Sequence, residues 1–344
     1  MTEARAACEW LALGSFTVQQ QALRDFAHAM DKWWAGTHGR PTWRRKGVNE
    51  GFRVVALRTG HVRRLNRHWG DVLVPKVGRV RFRWSRPVGE ARSYRVTRDR
   101  AGRWHLAFAR LPLPLERSVT GLAVGIDRGV ANTLATSDGQ FFSAPRMTES
   151  ERARLTRLQR ALARQRKGSG RRERTRLAIA RLRASEADRV KDWVEKTTTA
   201  LVRSHDLIAI EALPIRRMTR SARGTQANPG HHVRAKAGLN REILAQRWGL
   251  FARRLKDKAA LAGVVIVEVP AAYTSQRCSA GGHVAAVNRK SQAIFRCVAC
   301  GYTEHADTNA ALNILAAGRA VTARGGELLS PLNREPEPRS PRAA

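Results

Sequence analysis

Apolar residues recur along this chain at two different spacings, and the changes between them divide it into segments. Leu23, Phe26, Met30 and Trp33 fall three or four apart, which predicts a helix over residues 16–34 with Ser15 placed to cap its first turn. Gly36 to Gly47 follows as a basic loop punctuated by glycine and proline. From Phe52 to Leu115 the period shortens to two. Val80, Phe82 and Trp84 alternate with Arg79, Arg81 and Arg83, and Trp104, Leu106 and Phe108 repeat the pattern beyond a turn at Asp99–Gly102. Such alternation predicts a small antiparallel barrel or sheet with one apolar and one cationic face.

Between Gly121 and Phe142 short apolar runs predict three strands, Leu122–Asp127, Val130–Thr136 and Phe141–Phe142. A long helical hairpin comes next, with Leu155, Leu158 and Leu162 on one face, arginines around the rest, and a break at Gly168-Ser169-Gly170. Asp206–Glu211 is the following strand, and a basic linker runs on through Arg216, Arg217, Arg220 and Arg223. One helix over Leu239–Ala262 would carry Leu244, Trp248, Phe251 and Leu255 on a single stripe. Val264–Val269 reads as a central strand because its apolar run offers both faces for burial. A last helix is expected over Asp307–Ala317, and the proline-containing tail beyond Gly325 is expected to be disordered. Strand, strand, strand, helices, strand, helix, strand, helix is the order of the ribonuclease-H-like α/β fold.

Two of these strands end in an acid, in Gly125-Ile126-Asp127 and Ile208-Ala209-Ile210-Glu211, and a third acid opens the last helix in His305-Ala306-Asp307. A carboxylate at the edge of a buried strand is costly unless something pairs with it. Three of them, brought together by such a fold, supply the hard oxygen ligands that Mg²⁺ prefers. They could hold two ions roughly 3.5–4 Å apart, the arrangement that hydrolyses phosphodiesters. Asp127, Glu211 and Asp307 are therefore the candidate catalytic acids and magnesium ligands. Each taken singly could equally be a surface acid at a strand end.

Charge narrows the partner. Lys and Arg number 64 against 28 Asp and Glu, a net charge of +36. That excess attracts polyanions and releases their counterions, and the planar fork of Arg suits phosphate. Candidate nucleic-acid contacts are Arg44, Arg45 and Lys46 in the loop, Arg81 and Arg83 on a strand, and Arg157, Arg164, Arg171 and Arg174 on the hairpin. A ribosomal or histone-like binder would share the charge but has no need of the three acids. No apolar run reaches the roughly 18 residues of a membrane span, and the start lacks a basic-then-apolar signal, so a cytoplasmic, nucleoid-associated protein is expected.

Three of the four cysteines lie near the C-terminus. Cys297-Val298-Ala299-Cys300 has the spacing of a zinc knuckle. Its upstream partner would be Cys278-Ser279-Ala280-Gly281, where glycine stands at the place of a second cysteine. His283 is the nearest candidate for a fourth ligand, and a ribbon without zinc is the alternative. Cys8, far away, reads as a small buried side chain.

At these residues the sequence resembles the TnpB (OrfB-type) family of insertion-sequence proteins, relatives of the type V CRISPR nucleases. The matching stretches are Gly125-Ile126-Asp127-Arg128-Gly129-Val130, Ile208-Ala209-Ile210-Glu211, Gly238-Leu239-Asn240-Arg241-Glu242-Ile243-Leu244, Tyr273-Thr274-Ser275-Gln276-Arg277-Cys278, Phe295-Arg296-Cys297-Val298-Ala299-Cys300-Gly301 and Ala306-Asp307-Thr308-Asn309-Ala310-Ala311. The resemblance implies an RNA-guided DNA endonuclease of a mobile element, with guide RNA and target DNA as partners. Asp127, Glu211 and Asp307 match the acids of its RuvC-type nuclease domain, and Cys278, Cys297 and Cys300 match three of four zinc ligands. The implied layout is a partial helical recognition segment over 1–50, a wedge-like β-barrel over 51–118, and the nuclease domain over 119–272 with its hairpin at 147–204. A zinc-ribbon-like insert over 273–304, the last nuclease helix over 305–325 and a tail over 326–344 complete it. The family's usual first strand is not found before Met1, so the chain is expected to be short at its N-terminus. A catalytically impaired nucleic-acid-binding copy, or a transposase joining DNA ends, are the alternatives.

Overall fold

The structure, a computed structural model, describes residues 1–43, 47 and 50–323. Arg44, Arg45, Lys46 and the tail after residue 323 lie outside the described residues. The chain divides into two compact units, one of Met1–Pro112 with Glu149–Ser185, the other of Leu113–Thr148 with the chain from Glu186 onward.

The first unit opens with helices α1 (Thr2–Ala7), α2 (Glu9–Leu13) and α3 (Phe16–Trp34). Ser15 occupies the N-cap of α3, but its side chain makes no capping bond. The apolar stripe of α3 also departs from expectation. Val18 packs into the neighbouring core, whereas Leu23, Phe26 and Trp33 stay exposed, with Phe26 stacked on Trp43 at 5.9 Å. Six strands follow: β1 (Gly51–Val55), β2 (Val62–Arg64), β3 (Trp69–Val74), β4 (Gly78–Arg83), β5 (Ser93–Arg98) and β6 (Trp104–Ala109). They form two antiparallel three-stranded sheets, β1-β5-β6 and β2-β3-β4, around a core of Val54, Val72, Val74 and Tyr94. The Tyr94 hydroxyl donates to the Leu73 carbonyl at 2.9 Å, so its polar end is satisfied inside that core. On β4 the cationic face is divided in its use. Arg79 joins Arg63 in clamping buried Asp71, at 2.8 and 2.6 Å, while Arg81 and Arg83 are exposed.

The hairpin supplies α4 (Glu149–Arg164) and α5 (Gly170–Ser204), turning at Gly168, whose φ of +82° glycine adopts without strain. Arg172 closes this turn by donating to the carbonyls of Leu162 and Gln165.

The second unit is built on one five-stranded sheet, from β7 (Ala123–Asp127), β8 (Leu134–Thr136), β9 (Phe141–Phe142), β10 (Leu207–Glu211) and β11 (Val265–Val269), in the order β11-β10-β7-β8-β9. The first three neighbours run parallel, and β8 and β9 return antiparallel. Between β10 and β11 lie α6 (Ile215–Met218), α7 (Val233–Ala245) and α8 (Trp248–Ala262). A short hairpin of β12 (Ile294–Arg296) and β13 (Thr303–His305) leads into α9 (Ala306–Ala323), which runs six residues past the expected end at Ala317.

Side chains alternate across the sheet. On one face Val124, Ile126, Ile208 and Ile210 pack with Phe251 and Leu255 of α8 and with Val194 and Val202 of α5. On the other, Ala209, Val267 and Val269 meet Ile314 of α9. This two-sided cover explains why β11 is apolar although it is an edge strand and not the central one expected. Two more expectations are corrected. Only residues 134–136 of the run 130–136 are strand, and the single helix over 239–262 is two, broken at Arg247, whose φ is +55°. The break holds Gln246 in the interior, where its side chain accepts from Thr133 Oγ1 at 2.6 Å and donates to the Val130 carbonyl at 3.0 Å. Ile243 is then buried and Leu244 exposed.

Candidate metal centre

Register brings two of the acids together. Ile126 of β7 pairs with Ile210 of the parallel strand β10, so Asp127 and Glu211 are the next residues of two adjacent strands. Gly125 and Ala209, two positions back, face α9, and the alternation turns Asp127 and Glu211 to that same face. Helix α9 crosses here in close contact. A Cβ on Gly125 would lie 2.1 Å from the Ala311 carbonyl oxygen, and one on Gly318 would lie 2.6 Å from the Ala209 Cβ. Asp307 stands one turn before Ala311, in the first turn of α9. All three acids therefore lie at one end of the sheet, with ligand oxygens that are not all within 4.8 Å of one another. Glu211 and Asp307 are buried, and Asp127 is partly so.

Specific partners hold two of the carboxylates. Thr274 Oγ1 donates to Glu211 Oε1 at 3.2 Å, and buried Arg128 donates to the Glu211 carbonyl. Asp307 accepts from Asn132 Nδ2 and from Arg289, both at 3.1 Å. The loop carrying Thr274 is in turn tied to α9, because Asn313 Nδ2 donates to the carbonyls of Thr274 and Arg277 at 2.9 and 2.7 Å. Burial, then the neighbouring charges of Glu211 and Asp307, push the Asp127 carboxyl up to about 8, against the opposing pull of Arg289 and Arg128. Burial also raises Glu211 above its ordinary range, opposed by Arg128 and by the Thr274 hydrogen bond. Like charges gathered out of water, with hard oxygen donors and too few cations to balance them, fit a divalent metal.

Sequence reasoning did not single out these supporting side chains. Thr274 and Arg128 lie inside the quoted motifs, and only Arg128, the residue after Asp127, carried a signal in its position next to an acid. Arg289 had none, since a basic residue in a basic chain is unremarked.

The cysteines form the tightest cluster. Among the described residues, Cys278, Cys297 and Cys300 are the one group of three or more His, Cys, Asp or Glu side chains with ligand atoms all within 4.8 Å of one another. The Sγ atoms of Cys278 and Cys300 are 3.7 Å apart. The Cys297 thiol is lowered, first by the backbone N–H of Cys300 and also by that of Ala299. The Tyr302 N–H lowers Cys300, but the neighbouring Cys297 and Cys278 outweigh it and leave that thiol raised. His283 does not join the group. Its side chain is exposed, and its backbone carbonyl is what meets the cluster, accepting from the Cys278 N–H at 2.9 Å. Cys8 is half-buried rather than buried.

Of the arginines chosen from sequence, Arg81, Arg83, Arg157, Arg164, Arg171 and Arg174 are all exposed. Arg44, Arg45 and Lys46 lie outside the described residues. No helix among the described residues is long and apolar enough to cross a membrane.

The chain is similar to several known proteins. A family model described as "Probable transposase" matches residues 91–222, and one described as "Cas12f1-like, TNB domain" matches residues 248–314. The Escherichia coli (strain K12) protein named "Putative RNA-guided DNA endonuclease InsQ" is 37% identical over 334 residues, which are 95% of this chain and 81% of that protein. A Streptomyces pristinaespiralis protein named "Putative RNA-guided DNA endonuclease" is 32% identical over 71% of this chain, which spans 58% of that relative's length. The cryo-EM structure of a Cas12f1–sgRNA–target DNA complex aligns with a TM-score of 0.47 at 16% identity, covering 83% of this chain and 67% of that one. On the strength of its identity to InsQ over nearly its whole length, the chain belongs to the TnpB/InsQ (OrfB-type) family of insertion-sequence proteins.

Proposed function

We propose that the chain is an RNA-guided DNA endonuclease of a transposable element, and that Asp127, Glu211 and Asp307 hold divalent cations in a ribonuclease-H-like, RuvC-type nuclease domain. One observation carries this reading: β7 and β10 end in register on two acids, and α9 delivers a third to the same end of the sheet. The names of the relatives support the same activity, and the family's transposase description supports its place in a transposable element. Magnesium bound there would supply a Lewis acid and a nucleophilic water.

The chain's own residues then divide the work. Asp127, Glu211 and Asp307 present anionic oxygens to the ions. Thr274 and Arg128 fix the strand end that carries Glu211, and Asn132 orients Asp307. Arg289 balances Asp307 and has further N–H donors for a phosphate oxygen of the substrate. Burial excludes bulk water and strengthens each of these contacts. Cys278, Cys297 and Cys300 would hold a zinc ion that shapes the segment carrying Arg289. The exposed arginines of β4 and the hairpin would grip guide RNA and its heteroduplex by their backbones, leaving sequence to base pairing.

The test is purification with bound RNA, followed by incubation with a guide-matched duplex in Mg²⁺. Cutting is expected, and Asp127→Ala is expected to abolish it while RNA binding persists. Equal loss of both would make that acid structural. Bound RNA without cutting would identify an impaired copy, and strand joining would identify a transposase.

A further inference from the structure

The two turns that carry the cysteines are built alike. In the first, the Cys278 N–H donates to the His283 carbonyl and the Gly282 N–H to the Cys278 carbonyl, both at 2.9 Å. In the second, the Cys297 N–H donates to the Tyr302 carbonyl at 2.9 Å and the Gly301 N–H to the Cys297 carbonyl at 3.0 Å. Gly282 and Gly301 even share a left-handed φ, +72° and +73°. The turns thus correspond residue for residue, with Cys278 matching Cys297, Gly281 matching Cys300, and His283 matching Tyr302. The Gly281 N–H still points at the Cys278 sulfur, at 3.3 Å. A Cβ built at Gly281 would lie 3.3 Å from Cys300 Sγ, at the edge of the thiol cluster. The fold keeps the frame of a four-cysteine site but fills one corner with hydrogen. His283 sits where the second turn has Tyr302, a position whose carbonyl closes the turn, and its exposed ring does not fill that corner.

We propose that the cluster is a three-thiolate metal site whose fourth coordination position, beside Gly281, is open and takes a donor from outside the chain. Resting on the reading of these cysteines as metal ligands, this assigns water to that position, exchangeable for a small soft ligand such as a free thiol or imidazole. Zinc-type ions favour four-coordinate tetrahedral surroundings, and a site with three protein ligands keeps its last position exchangeable. Such an ion is also less firmly held than one in a closed site, because three bonds must break for release instead of four.

Cobalt(II), which reports its ligands through visible absorption, tests this on the full chain. Wild type is expected to take up one ion and to change its spectrum when imidazole or 2-mercaptoethanol is added. Gly281→Cys is expected to gain thiolate-to-metal absorption by roughly a third, as three thiolates become four, and to ignore added ligands. Zinc transfer to a chromogenic chelator is expected to slow on the order of tenfold in that variant. A wild-type spectrum indifferent to added ligands would overturn the open position, and a change on His283→Ala would then name the closing group. Cobalt uptake by Gly281→Cys alone would also overturn it, marking a site lost with its fourth cysteine. Uptake by neither protein would overturn the metal reading of the cysteines itself, a distinguishable failure.

Discussion

Asp127 pays the electrostatic cost of the acidic centre. Its carboxyl titrates at about 8 in the fold against an ordinary value of 3.8, so the folded chain keeps a proton that the unfolded chain has released. Stability of the metal-free protein must then fall as pH rises between those two values, and the full cost is present above the upper one. Asp127→Asn removes the charge and keeps the shape. It is expected to raise metal-free stability by about 1–2 kcal/mol at alkaline pH, with little effect in acid, while cleavage is lost. Calorimetry across the pH range checks this, and a midpoint that never diverges from wild type would mean that the carboxylate is solvated. The same anomaly singled out Asp127 and Glu211 in the sequence, since a charge at the end of a β-branched run has no solubility role, whereas Asp307, which opens a helix, stood out only through its place in the expected fold. Arg289 was illegible for the opposite reason: its value depends on Asp307, eighteen positions away in sequence and 3.1 Å away in space.

Elements place those residues, and the contact of α9 with the sheet decides the placement. Gly125 and Gly318 let the helix approach so closely that no methyl group fits at either position. Gly125→Ala would set its Cβ against the Ala311 carbonyl and the Leu315 N–H, both backbone atoms of α9 that cannot swing aside. The helix must move out by an ångström or more. The expected result is a loss of roughly 1–3 kcal/mol of stability, as for other overpacked core positions, and a larger loss of cleavage, because Asp307 travels with the helix. Denaturant unfolding beside a cleavage assay separates the two effects, and full activity with lowered stability would show that Asp307 does not need its present position. Periodicity foretold the existence of these elements better than their neighbours. The strands 123–127, 141–142 and 207–211 were readable from apolar runs with turn residues between them. The edge position of β11 was not, because cover by α8 and α9 makes an edge strand as apolar as a central one. The kink at Arg247 was likewise hidden, since the stripe of Trp248, Phe251 and Leu255 continues in phase beyond it, and only the buried bonds of Gln246 account for the break.

At the scale of the whole molecule, a charge of +36 promises polyanion binding without saying which arginines deliver it. The structure sorts some of them. Arg172 is engaged in the hairpin turn, Arg79 and Arg63 are bound to Asp71, and Arg176 pairs with Glu173 at 2.8 Å. Arg157, Arg164, Arg171 and Arg174 are exposed on α4 and the first half of α5. An arginine that meets a phosphate releases counterions, so it contributes to the dependence of binding on salt, roughly 0.7–0.9 in the slope of log K against log salt. One that is merely solvated contributes nothing to that slope. Replacing Arg157, Arg164, Arg171 and Arg174 together by Gln is therefore expected to reduce the slope for guide RNA by about 3, with affinity falling most at low salt and thermal stability nearly unchanged. Arg172→Gln is the contrasting variant: it should lower stability through the uncapped turn and leave the slope close to wild type. Filter binding over a salt series distinguishes the two, and an unaltered slope in the fourfold variant would reduce that basic surface to one that keeps the hairpin in solution.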